Sequence, residues 1–150
     1  MTQGITAKAQ ILIHRPVNEV FDAFVEPATM AKFWFTRRDD GLREGETVTW
    51  FIGPEPDAPR IAVQVTSLKR PDSIVMKWGH AESLTTVSWT FEEKAPTTTL
   101  LCVEESGLSG TTQEIIDAAL DSTGGFNQVV VAAKAWLEHK TVVNVVADRA

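Results

Sequence analysis

The sequence predicts an α+β fold: a curved antiparallel sheet of about six strands around a long C-terminal helix, with two short helices after the first strand. Two observations lead to it. Apolar and polar residues alternate in successive segments through the middle of the chain. After Phe126, apolar residues instead recur at helical spacing. A helix with one broad apolar face needs a large surface to cover it, and the predicted sheet supplies that surface.

The N-terminal segment predicts one strand and two short helices. Ala7, Ala9, Ile11 and Ile13 alternate with Lys8, Gln10 and Leu12, as in a strand with one buried face. Pro16 is suited to open a helix, because the amide proton that it lacks would have no partner in the first turn. Pro27 ends this helix and begins a second helical piece that reaches about Trp34.

The middle of the chain predicts an antiparallel sheet that is covered on one side. One face of each segment is aliphatic or aromatic, and the other is rich in threonine. The last strand is expected from Thr98 to about Glu105, before Gly107. The residues that alternate on the apolar face are Val48, Trp50, Ile52, Ile61, Val63, Val65, Ile74, Met76, Trp78, Val87, Trp89 and Phe91.

The C-terminal third predicts a long helical region. Thr111 and Glu114 have the spacing of a capping box, so a helix is expected from Thr112 to near Asp121. Gly124-Gly125 is expected to interrupt or kink it, before a final helix continues to about Val146. The residues expected on the inward face are Val129, Val130, Ala133, Trp136, Leu137 and Lys140, and those on the outward face Gln128, Lys134 and Glu138.

Length and charge limit the class of protein. The 150 residues fit a single domain, 1–150, with a core that needs no disulfide or metal. The formal charge of −6 with scattered basic residues argues against nucleic-acid binding. No run of about 18 apolar residues predicts membrane insertion, and the first residues do not resemble a signal peptide, so we expect a cytoplasmic location. Cys102, the single cysteine, is expected to be a small buried hydrophobe.

Five segments follow one another along the chain: Glu26-Pro27-Ala28-Thr29-Met30-Ala31-Lys32-Phe33-Trp34-Phe35, Arg70-Pro71-Asp72-Ser73-Ile74-Val75-Met76-Lys77-Trp78, Val87-Ser88-Trp89-Thr90-Phe91-Glu92, Thr99-Leu100-Leu101-Cys102-Val103-Glu104-Glu105-Ser106-Gly107-Leu108 and Gly125-Phe126 with the following helix. Taken in this order, they resemble the activator of heat-shock-protein-90 ATPase homologue family. This family is a branch of the START-like (SRPBCC) helix-grip superfamily. Phe126 stands where the family usually has tryptophan before the last helix.

The resemblance implies a helix-grip fold and leaves several functions open. The START-like superfamily includes lipid carriers, hormone receptors, aromatase and cyclase enzymes and chaperone activators. The matching residues are mostly architectural aromatics and turn formers. Such a fold carries different activities in different members, so the function has to be argued from a site.

Residues with catalytic or metal-binding chemistry are few. His14, His80 and His139 lie in separate predicted elements, which disfavours a nucleophile-histidine triad. His80 continues the inward alternation of its strand and would share a face with Glu82, although a histidine at a strand end more often bonds backbone or water. Those two residues are fewer ligands than a zinc site needs, so we predict no metal, no cofactor and no catalytic residue.

Two further segments have ordinary structural explanations. Arg37-Arg38-Asp39-Asp40 could hold an anionic ligand or a partner, but paired opposite charges in a solvated loop are the commoner reason for such a run. Gly107-Leu108-Ser109-Gly110 lacks the lysine of a phosphate-binding loop and is interpreted as a turn.

The tryptophans point to a pocket between sheet and helix. There are 5 in the chain, and bulky rings on both elements commonly line an apolar pocket. Trp89 is expected mainly to fill the core, and His80, Glu104 or an indole group to orient a ligand. The residues predicted to form the cavity are Trp34, Trp50, Met76, Trp78, His80, Trp89, Phe126, Val130, Ala133 and Trp136.

Three hypotheses for the function follow from this sequence. The first is a domain, monomeric or homodimeric, that binds a hydrophobic small molecule without catalysing a reaction. The second, implied by the resemblance, is a module that interacts with the chaperone. The third is a cyclase-type enzyme, which would need a buried ionisable group facing the ligand.

Overall fold

The computed structural model describes residues 4–34, 37–38, 41–51, 56–79 and 82–148, with backbone only at 37–38. The predicted α+β architecture is confirmed. Its strands are β1 (Ala7–Ile13), β2 (Arg37–Arg38), β3 (Thr47–Phe51), β4 (Arg60–Lys69), β5 (Ser73–Trp78), β6 (Thr85–Ala95) and β7 (Thr98–Ser106). Its helices are α1 (Val17–Val25), α2 (Pro27–Met30) and α3 (Thr112–His139).

The strands form one antiparallel sheet in the order β1-β7-β6-β5-β4-β3-β2. Neighbours from β3 to β7 follow each other in sequence, as expected for strands joined by hairpins. β1 closes one edge by pairing Ala7 with Glu105 and Ile13 with Thr99. At the other edge, Arg37-Arg38 pairs with Phe51 and Trp50 as a short strand, where the sequence had suggested a loop.

The helix α3 differs from its prediction in two ways. It runs without interruption through Gly124-Gly125, because the apolar residues on both sides of the glycines, Ala119 and Phe126, are buried on the sheet. Tertiary burial of this kind outweighs a cost of about 1 kcal/mol for a glycine within a helix. The helix also ends at His139 and not near Val146, since Lys140 adopts a left-handed conformation with φ of 52°.

The N-terminus of α3 confirms the predicted capping box. The Thr111 hydroxyl accepts a hydrogen bond from the Glu114 amide at 3.2 Å. The Glu114 carboxylate accepts one from the Thr111 amide at 3.3 Å. Both bonds satisfy amides that the first turn would otherwise leave without partners.

A polar clamp joins the end of α3 to the end of β1. Lys134 Nζ donates to the Leu12 carbonyl and to Glu138 Oε2, each at 2.6 Å. Glu138 Oε2 also accepts from the His14 amide at 2.8 Å. Lys134 and Glu138 therefore do not point freely outward as predicted, but fix the helix against the sheet edge.

The core lies between the concave face of the sheet and the three helices. Phe21 and Phe24 of α1 are fully buried there. Val129, Val130, Ala133 and Leu137 of α3 are buried on the same side, which confirms most of the predicted inward face. Within the described residues, no helix is long and apolar enough to cross a membrane.

Candidate functional site

A pocket of about 340 Å³ lies between the sheet and the middle of α3. Aromatic and aliphatic side chains form most of its wall, and Asp121, Ser122 and Gln128 contribute the polar part. Most small-molecule sites combine an apolar wall with a few polar groups in this way. The apolar lining residues are Trp34, Ile61, Trp78, Phe126, Val129 and Val146, together with Gly125.

An aromatic cluster forms the base of this pocket. The ring of Trp78 is parallel to that of Phe126, with centroids 6.0 Å apart and an interplanar angle of 8°. Trp34 meets Trp50 and Trp78 edge to face, at centroid distances of 5.1 and 5.8 Å. Trp89 lies below and meets the Phe126 ring at 5.8 Å and 90°. Rings held by several aromatic neighbours present a rigid wall to the pocket.

Trp78 is also held by a buried carboxylate. Its indole nitrogen donates to Glu105 Oε2 at 2.9 Å, and the Thr85 hydroxyl donates to the same oxygen at 2.5 Å. Glu105 is 4% exposed, and its Oε1 has no hydrogen-bond partner within the described part of the chain. These bonds fix the orientation of the Trp78 ring, which forms part of the pocket wall.

The structure places the predicted cavity residues at three levels. Trp34, Trp78 and Phe126 line the pocket. Trp50 and Trp89 are fully buried beneath them, as expected for Trp89. Three others are buried in the core without lining the pocket: Met76, Val130 and Ala133. The aromatic residues therefore both fill the core and leave a pocket above it.

Trp136, although predicted to form the cavity, does not line this pocket. Trp136 lines a separate groove between α1 and the end of α3, with Glu19, Asp22 and Glu26 on the opposite wall. The amines of Lys32 and Lys140 each lie 5.4 Å from its ring centre. His80 lies outside the described residues, as do Phe35, Asp39 and Asp40 of the aromatic and charged segments.

Two polar residues lie on faces that the sequence pattern did not predict. Glu104, proposed to orient a ligand, is on the outer face of the sheet near Lys8, and Glu105 is the inward residue. Leu101 and Val103 are inward-facing residues of the same strand, and continuing their alternation predicts that Glu105 also faces inward. Gln128 was expected to point outward, but it lines the pocket and its Oε1 is shielded from solvent.

A larger depression, of about 670 Å³, lies on the outer side of β1, β6 and β7. Most of its lining residues are polar, among them Lys8, Gln10, Ser88, Thr90 and Glu104. It lacks the aromatic walls of the inner pocket, so we place the candidate site between sheet and helix. The described residues contain no cluster of three or more histidine, cysteine, aspartate or glutamate side chains placed to hold a metal ion.

The sequence profile of the family described as Activator of Hsp90 ATPase homolog 1-like protein matches residues 14–137. The chain belongs to this family. A search of curated proteins found no match to this sequence. Among the described elements, the match begins directly after β1 and ends in the last turn of α3, so it includes β2 to β7, α1, α2 and nearly all of α3.

Several solved structures share the fold of this chain. A protein from Staphylococcus saprophyticus is 24% identical with a TM-score of 0.76, over 92% of this chain and 95% of that one. An HSP90 activator from Plasmodium falciparum is 18% identical with a TM-score of 0.70, and the match covers 90% of this chain and 97% of that one. The Aha1 dimer from Colwellia psychrerythraea is 17% identical with a TM-score of 0.75, and the match covers 89% of this chain and 96% of that one.

Proposed function

We propose that this domain binds a hydrophobic small molecule in the pocket between the sheet and α3. The observation that carries the proposal is the cavity of about 340 Å³ beside Trp34, Trp78 and Phe126. Burial of apolar ligand surface there would supply most of the affinity, at about 25 cal/mol for each Å² removed from water. A volume of this size suits a ligand of two or three fused rings.

The wall of the pocket is already ordered before any ligand arrives. Glu105 and Thr85 fix Trp78 by hydrogen bonding, and the Phe126 ring stacks beside it. A ligand that meets ordered rings loses less free energy to side-chain ordering than one that must assemble its own site. This preorganisation favours a binding function for the pocket.

A neutral fluorescent probe tests the proposal. N-phenyl-1-naphthylamine should bind near one-to-one and quench tryptophan emission, because Trp34 and Trp78 lie in the wall. Gly125 also lines the pocket, so Gly125→Leu should fill it and abolish saturable binding. The matched control is Gly124→Leu, which changes the exposed neighbour. Absence of saturable binding to folded wild-type protein, or equal binding by both variants, would refute the proposal.

A second candidate function is interaction with the HSP90 chaperone. It is supported by the family to which the chain belongs and by the fold shared with the P. falciparum protein described as an HSP90 activator. The test is a mixture of this protein with an HSP90 chaperone, followed by size-exclusion chromatography and ATPase assay. A stoichiometric complex with raised ATPase activity is expected if this function holds, and separate elution with unchanged activity would rule it out.

One variant distinguishes the two candidate functions. Gly125→Leu should lose probe binding yet keep any chaperone complex, since the two functions need not share a surface. The same chromatography reports whether the chain is a monomer or a homodimer; the related C. psychrerythraea structure is described as a dimer.

A further inference from the structure

The pocket contains a polar group that the described residues leave unsatisfied. Gln128 lines the pocket, and its Oε1 is shielded from solvent without a hydrogen-bond partner in the described part of the chain. Shielded polar groups almost always have a partner in native proteins, because an unpaired one costs about 1–3 kcal/mol. A ligand that donates a hydrogen bond to this oxygen would remove that cost.

The position of Gln128 suits contact with a ligand. It lies on α3 between Gly125 and Val129, which also line the pocket, and Trp34 and Trp78 form other parts of the wall. A flat apolar ligand against the indoles could therefore turn a polar substituent toward the helix. Because Oε1 is shielded in the unliganded protein, a donor in the pocket reaches it only after the terminal amide rotates. That torsion has a broad energy minimum, so the rotation costs little.

The same region discriminates against an anionic ligand. Glu105, which bonds to the pocket residue Trp78, is a second shielded acceptor, through its Oε1. No lysine or arginine is among the described residues that line the pocket. A carboxylate that entered would lose its hydration without a cationic partner, which is costly in an apolar site.

We infer that the ligand has an apolar ring body with one hydrogen-bond donor, a hydroxyl or an amine, which is received by Gln128, and that it carries no carboxylate. The inference rests on the proposed function and adds the ligand's chemical class. Gln128 then determines specificity, and the aromatic wall supplies affinity.

A series of probes on one naphthalene frame tests this inference by competition against N-phenyl-1-naphthylamine. The members are naphthalene, 1-naphthalenemethanol, 1-naphthylamine, which is uncharged at neutral pH, the acceptor-only 1-(methoxymethyl)naphthalene, and 1-naphthoate. We expect the alcohol and the amine to bind about tenfold more tightly than naphthalene, as one added hydrogen bond allows. The methoxymethyl compound should gain nothing over naphthalene, and 1-naphthoate should bind most weakly.

A near-isosteric variant assigns the effect to the residue. Gln128→Met should reduce the preference for the alcohol to less than twofold and still bind naphthalene, which shows that the variant is folded. Gln113→Met, on an exposed turn of the same helix, should keep the full preference. Loss of the preference in the control but not in Gln128→Met would overturn the assignment.

The outcomes distinguish failure of this inference from failure of the proposed function. If no member of the series binds wild-type protein, both are wrong. If all members bind equally, or if the methoxymethyl compound or 1-naphthoate is preferred, the pocket binds hydrophobic molecules but the donor assignment is wrong. A preference for the alcohol that survives in Gln128→Met would also overturn it.

Discussion

The indole nitrogen of Trp78 donates a 2.9 Å hydrogen bond to Oε2 of Glu105, a carboxylate buried two strands away in the sheet. The bond connects the core to the pocket, since Trp78 lines the pocket. Glu105 is thus a positioning residue for the wall. Its effect on ligand binding should be indirect, through the orientation of the ring.

Glu105→Leu should lower stability by about 1–3 kcal/mol, because the Trp78 indole and the Thr85 hydroxyl would lose their shared acceptor. It should also move the indole N–H resonance of Trp78 and weaken probe binding. Urea unfolding and a ¹H–¹⁵N spectrum measure both effects. Glu104→Leu is the matched control, since that side chain is 47% exposed on the opposite face. Equal effects of the two substitutions would contradict this role.

Phe24→Ala should reduce the free energy of unfolding by about 3–5 kcal/mol through loss of burial and creation of a cavity. The ring is fully buried and packs on Phe33 and Trp89, with centroids 5.2 and 4.8 Å away. Leu120→Ala, at a side chain 68% exposed, should change stability by less than about 0.5 kcal/mol. Similar denaturant midpoints for the two variants would show that α1 packs by another face.

Glu138→Gln should remove a contribution to stability that depends on pH. Burial would raise the pKa of Glu138, but the hydrogen bonds from Lys134 and the His14 amide, with the charges of both residues, hold that pKa below its ordinary value of 4.5. A lowered folded-state pKa stabilises the protein fully above 4.5, and the contribution is lost as the pH falls through the folded value.

The stability difference between wild type and Glu138→Gln should therefore shrink as the pH falls below 4.5. Urea unfolding at a series of pH values from about 5 downward measures this difference. Glu104→Gln is the control, which measures how the stability difference depends on pH when an exposed carboxylate is removed. A difference that stays constant or grows toward low pH would exclude the clamp as its source.

Gly124→Ala should raise the free energy of unfolding by roughly 0.5–1 kcal/mol, because the residue is exposed within an uninterrupted helix. Gly107→Ala should do the opposite, since Gly107 has φ of 82° in the turn before α3. Thermal or urea unfolding of both variants is sufficient. Destabilisation by Gly124→Ala would indicate a kink or hinge at the two glycines.

Short-range patterns predicted most of the fold. The alternation of Ile74, Met76 and Trp78 identified a strand and its inward face, and the Thr111–Glu114 spacing located the start of α3. Both are local effects, set by the strand period of two and by hydrogen bonds within one helical turn. The end of α3 escaped prediction because Val142 to Val146 continue an apolar pattern after Lys140 has already turned the backbone.

The sequence by itself determined the α+β fold, the buried faces and the aromatic character of the site. Only the tertiary structure decided that Trp34 and Trp78 border the pocket while Trp50 and Trp89 lie beneath it, and that Trp136 faces another groove. Helical and strand periods fix which way a side chain points along its own element. Whether it meets a cavity or a neighbour depends on the distance between elements, which is set by the packing of side chains far apart in sequence.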